Sequence, residues 1–122
     1  MNKEVFLQEL ESVIRTLNFI QEEQTYIKSK LSNFLDNVVD ADVLNWAESL
    51  HHEILNRETA IQLLRNDILK VKNQVIQKRF LNNILDRQTT DSFKKYKQQV
   101  VYIETEFVAW KNVTNEQFES AL

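Results

Sequence analysis

Residues 6–38 read FLQELESVIRTLNFIQEEQTYIKSKLSNFLDNV, and the spacing within them decides the fold. The seam runs through Phe6, Leu10, Val13, Leu17, Ile20, Ile27, Leu31, Phe34 and Val38, with Gln24 filling the place between Ile20 and Ile27. The steps alternate four and three residues, which lays the side chains along one stripe of an α-helix. A half-buried strand would alternate every second residue, and this stretch does not. The pattern predicts a first helix over about residues 3–37.

Outward from there, Asp36-Asn37-Val38-Val39-Asp40-Ala41-Asp42 supplies turn and cap residues, with Asp40 or Asp42 suited to the first orphan N–H groups of a second helix. The seam resumes as Ala47, Leu50, Ile54, Arg57, Ile61, Leu64, Ile68, Val71 and Val75, and Phe80 and Ile84 prolong the apolar content. A second helix over about residues 42–86 would be about 65 Å long. Asn56-Arg57-Glu58-Thr59 is where it would break, although the heptad phase passes through unchanged. The stretch Asp86-Arg87-Gln88-Thr89-Thr90-Asp91 reads as the next connector, with Thr89 or Thr90 as N-cap. Phe93, Tyr96, Val100, Ile103, Phe107 and Trp110 then mark a third helix over about residues 90–121.

Composition agrees. The 122 residues include no Gly, no Pro and no Cys, where average usage would give about 8 Gly and 6 Pro. Glycine supplies positive φ at low steric cost and proline breaks helices, so their absence favours long helices over hairpins. The expected fold is all-α: one bundle domain over residues 1–122, with three long antiparallel heptad-patterned helices of coiled-coil character. A four-helix bundle is the alternative if the second helix breaks near Asn56.

The same absences exclude chemistry. Glycine-rich phosphate loops, thiol nucleophiles, zinc–thiolate sites and disulfide frameworks all need residues this chain lacks. Ser49 lies within a helical pattern without a strained elbow to activate it. No catalytic residue, metal site or cofactor is expected, and the chain reads as non-enzymatic. There is no apolar run of the roughly 18 residues that a transmembrane segment needs. The amphipathic start at Met1-Asn2-Lys3-Glu4 predicts no signal peptide and a cytoplasmic protein.

Helix lengths imply a partner. With turns near Val39 and Gln88, the end of the third helix is level with Ile54 and covers only half of the second. Ile27, Leu31, Phe34, Leu35, Val38, Leu44, Trp46 and Leu50 would then lie uncovered, a patch larger than monomers usually expose. The expectation is a scaffold or regulatory protein that self-associates as a homodimer through this hairpin half. Another protein filling the site is the alternative partner.

Three further features invite a functional reading. Gln24, Arg57, Thr114 and Gln117 interrupt the seams at similar levels, as a register-fixing polar layer or as a pocket where Arg57 holds an anion. Glu23, Glu58 and Glu116 are the carboxylates expected near it. Glu48 and His51 form a Glu-x-x-His step, but His51 and His52 are the only histidines, too few for a di-iron bundle site, which leaves a single-metal site from Glu48, His51 and a carboxylate of a neighbouring helix as the least favoured alternative. Residues 65–97 hold nine basic side chains against Asp67, Asp86 and Asp91, a net +6 that leaves −9 elsewhere in a chain of net −3. Lys78, Arg79, Arg87, Lys94, Lys95 and Lys97 form this basic tip, a candidate for an anionic partner. Nucleic acid is disfavoured by the overall negative charge and the lack of a recognition motif.

Overall fold

A computed structural model describes residues 2–80, 82 and 84–121. Three helices span the described residues: α1 (Lys3–Leu35), α2 (Ala41–Gln77) and α3 (Arg87–Ala121). The molecule is an all-α bundle running up, down and up. Leu81 and Asn83, expected inside the second helix, and Leu122, expected as the packed end of the third, lie outside the described residues. So does Met1.

Local chemistry sets the boundaries. Asn2 caps α1 by accepting the Glu4 N–H at 2.7 Å, and Asp40 caps α2 by accepting those of Asp42 at 2.8 Å and Val43 at 3.2 Å. α1 stops two residues before the expected 37, where the N–H groups of Asn37 and Val38 turn back onto the carbonyls of Phe34 and Leu35. α2 runs unbroken through Asn56, so the four-helix alternative does not form.

The end of α2 corrects the sequence reading. It stops at Gln77 rather than at residue 86, as Lys78 swings to an extended backbone (φ −83°, ψ 136°). Beyond Val75 the next seam positions are Lys78 and Asn82, both polar, so another turn of helix would offer the core nothing to bury. The described residues between Gln77 and Arg87 form a connector instead. Lys3 Nζ donates to the carbonyls of Ile76 at 3.3 Å and Lys78 at 3.4 Å, closing the end of α2. Asn82 takes the left-handed conformation (φ 54°), which Asn tolerates better than most residues in a chain without glycine.

Asp86, not Thr89 or Thr90, caps α3. Its carboxylate accepts the Thr89 N–H at 2.8 Å and its carbonyl the Thr90 N–H at 3.1 Å, so α3 begins three residues earlier than expected.

The earlier turn changes the register. Trp46 meets Gln117, Glu53 meets Trp110, and Arg57 meets Glu106. Seven residues along α2 are matched by seven back along α3, then four by four, as antiparallel heptads require. Glu9 meets Lys97 and Glu23 meets Lys111, so α1 and α3 run parallel over two heptads.

α3 therefore reaches the far end of α2, and the expectation of an uncovered hairpin half is overturned. Phe118, 1% exposed, packs into a cluster with Ile27, Leu31, Ala47, Leu50 and Ile54. A larger cluster fills the other end, centred on Phe6, Leu10, Leu17, Ile68 and Phe93. Trp110 packs against both. Each fully buried Leu, Ile or Phe contributes about 1.5–3 kcal/mol, so the seams supply the main driving force for closing the bundle.

Candidate functional site

The expected interface residues divide by depth. Ile27, Leu31 and Leu50 are 2% exposed or less and belong to the chain's own core. Leu35 is half-buried beside them. Phe34 and Trp46 form a ring cluster with Phe118, each pair near perpendicular, with centroids 5.2–5.8 Å apart. Edge-to-face contacts of this kind align positive ring edges with negative faces. Trp46 Nε1 donates to Gln117 Oε1 at 3.0 Å, which fixes the indole at the surface. Val38 is half-buried, Leu44 is 40% exposed, and Val39, in the same loop as Val38, is 95% exposed.

The polar layer is a belt between the two core clusters. Gln24 and Thr114 are buried at 0% and 1%, while Gln117 lies outside the belt on Trp46. Arg57 forms a bidentate pair with Glu106 (Nη1 to Oε2 2.7 Å), and its guanidinium sits 4.3 Å from the Trp110 ring centroid. Trp110 Nε1 donates in turn to Glu53 Oε2 at 3.0 Å. The carboxylates expected around Arg57 are engaged elsewhere or do not reach it. Glu23 holds Lys111 at 2.6 Å, and Glu58 holds Lys28 at 3.3 Å. Arg57 thus has its anion within the chain, held through one N–H of each Nη.

His51 and His52 are exposed, with ring centroids 6.3 Å apart. Among the described residues no three His, Cys, Asp or Glu side chains converge to hold a metal ion. No helix among them is long and apolar enough to cross a membrane.

At the basic tip, half of the predicted cations already have anions. Lys78 pairs with Asp86 at 2.6 Å, Arg87 with Asp91 at 3.8 Å, and Lys97 with Glu9 at 3.8 Å. Lys72, just below, pairs with Glu11 at 3.0 Å and holds that carboxyl below its usual range. The Lys78 ammonium, with the Thr89 N–H, lowers the Asp86 pKa to about 2. Arg79, Lys94 and Lys95 are exposed and carry no ion pair among the described residues. Beside them is an open groove of about 510 Å³ whose lining includes Val71, Phe80, Asp86 and Thr89.

The opposite end has a different character. Two surface grooves meet there, sharing Val43 and Ala121. One, of about 440 Å³, lies along α2 and α3 over Trp46 and Val113, and the other, of about 400 Å³, lies over Phe34, Val38 and Val39. Asp42 and Glu116 line the first groove and Asp40 the second, and Asp36, Glu48 and Glu119 lie on the same pole, where residues 33–52 and 112–121 contain no Lys or Arg. None of these six carboxylates forms an ion pair among the described residues; one turn inward, Lys30 lies over the Phe118 ring at 4.7 Å. Two helices end at this pole and one begins, so their dipoles add net negative charge.

Val39 and Val43 were not among the predicted interface residues. Their position at a turn flanked by aspartates was the available signal. The chain matches no protein-family model, no curated protein and no solved structure.

Proposed function

We propose that this chain is a non-enzymatic docking protein whose acidic end receives a basic, apolar segment of a protein partner. The observation that carries this reading is the coincidence of two apolar grooves, joined at Val43, with the lining carboxylates Asp40, Asp42 and Glu116, none of which has an ion pair among the described residues. Apolar anchors entering the grooves would be desolvated, while the surrounding carboxylates would steer and orient a cationic segment. An amphipathic helix with Lys or Arg on its polar face has the matching chemistry.

A test uses Trp46, which lines one groove, as its own reporter in a Trp110→Phe background. Titration with a Lys/Arg-rich amphipathic peptide should change Trp46 emission in low salt and lose affinity as salt rises. Val43→Asp should abolish the response while leaving the helical circular dichroism intact. No response to such peptides at any salt concentration would defeat the reading.

The second reading, an anionic partner at the basic tip, draws on Arg79, Lys94 and Lys95. Binding to a polyanion gains from each cation it neutralises, and Lys78, Arg87 and Lys97 are already answered by carboxylates. That leaves the acidic end as the stronger site.

A further inference from the structure

We propose that the surface fitting the acidic end is the opposite end of a second copy of this chain, formed by Ile76, Arg79, Phe80, Ile84, Lys94 and Lys95, so that molecules associate head to tail. The proposal rests on the docking reading above and names its partner. Charge complementarity argues for it first. Among the described residues, the six carboxylates of the acidic end form no ion pair, and Arg79, Lys94 and Lys95 of the connector end form none either. The helix dipoles reinforce the match, because two helices begin and one ends at the connector pole, the reverse of the other pole.

Apolar character agrees. Ile76 and Ile84 are 51% and 58% exposed beside the half-buried Phe80, next to Lys78 and Arg79. Arg79, the cation here without a carboxylate partner among the described residues, sits with these apolar anchors, the chemistry that the grooves over Val39, Val43 and Trp46 would accept. The two faces lie at opposite ends of a bundle about 50 Å long, so one molecule cannot satisfy both within itself. Two different faces meeting end to end form a heterologous contact, which extends into linear chains unless a ring closes.

Two charge-reversed proteins test this. Asp36→Lys/Glu116→Lys spoils the acidic end, and Arg79→Glu/Lys94→Glu/Lys95→Glu spoils the connector end. None of the five residues forms an ion pair among the described residues, and Asp36→Lys places a cation at a helix C-terminus, where it is favoured. Light scattering and sedimentation should show the unmodified chain growing in mass with concentration up to about 1 mM at low salt and reverting to monomer at high salt.

Each reversed protein alone should remain monomeric, and an equimolar mixture should form dimers that grow no further. The dimer limit follows because the mixture retains one competent face of each kind. A strictly monomeric unmodified chain would overturn the proposal, as would self-association by either reversed protein alone. If the chain stays monomeric but binds the basic peptide, only the choice of partner fails. If it does neither, the docking reading fails with it.

Discussion

At the connector end of the bundle, Lys72, Lys78 and Lys97 each close on a carboxylate of the same chain, and Lys3 donates to the last carbonyls of α2. At the loop end, Asp40, Asp42 and Glu116 line two grooves, with Asp36, Glu48 and Glu119 on the same pole, and no cation is paired to any of them among the described residues. Both ends have a well-filled aromatic core, Phe6 against Phe93 in one and Phe34, Trp46 and Phe118 in the other. Stability therefore does not separate them. One end uses much of its charge to hold its own chain, and the other leaves it facing outward, which is why the docking proposal is set at the second.

The comparison can be broken first at its premise, that both ends have complete cores. Phe118→Ala should destabilise the chain by about 3 kcal/mol in denaturant unfolding, the cost of emptying a buried aromatic site. A loss below about 0.5 kcal/mol would mean that the end of α3 is frayed and the loop end uncovered.

Acid should act next, and selectively. Asp86 has its pKa lowered from 3.8 to about 2, so its stabilising contribution is present above the ordinary value and is lost as pH falls towards 2. Glu11 is shifted in the same direction by Lys72. Asp86→Asn keeps a capping side chain but not the charge, so the fall in thermal midpoint between about pH 4 and pH 2 should become shallower. An unchanged pH profile would remove Asp86 from the account of the connector end.

The smallest effect separates the two kinds of charge. Lys72→Glu sets a like charge against Glu11 and should lower the thermal midpoint slightly, as loss of an exposed pair does. Asp36→Lys/Glu116→Lys has no pair to break and should leave stability within about 0.5 kcal/mol of the unmodified chain. Equal losses would erase the distinction between the ends.

The helices themselves were legible because an uninterrupted three-four seam admits few other readings, and α1 buries its seam from Phe6 to Leu31. The turn between α2 and α3 was not, because Phe80 and Ile84 extend the apolar content while Lys78 and Asn82 quietly end the seam. Misplacing that turn by six residues, near 88 instead of 82, shifts the level of the α3 terminus along α2 by twelve, from Ile54 to Asp42. That single error created the uncovered half.

The same shift explains the partner of Arg57. In the expected register Glu116 lies beside it, whereas in the actual one Glu106 does. A buried layer of Gln24 and Thr114 could be read from the interrupted seams, but its ion pair depended on a register that only the connector sets.

The extent of α3 can be measured directly, and the lack of cysteine makes the labelling simple. Spin labels at Asn45→Cys and Ser120→Cys, diluted with unlabelled chain, report how far α3 runs along α2. A short distance is expected, with both sites at nearly the same level beside the Trp46–Gln117 hydrogen bond. A separation greater by about 18 Å, the rise of twelve helical residues, would put the end of α3 level with Ile54 and contradict this register.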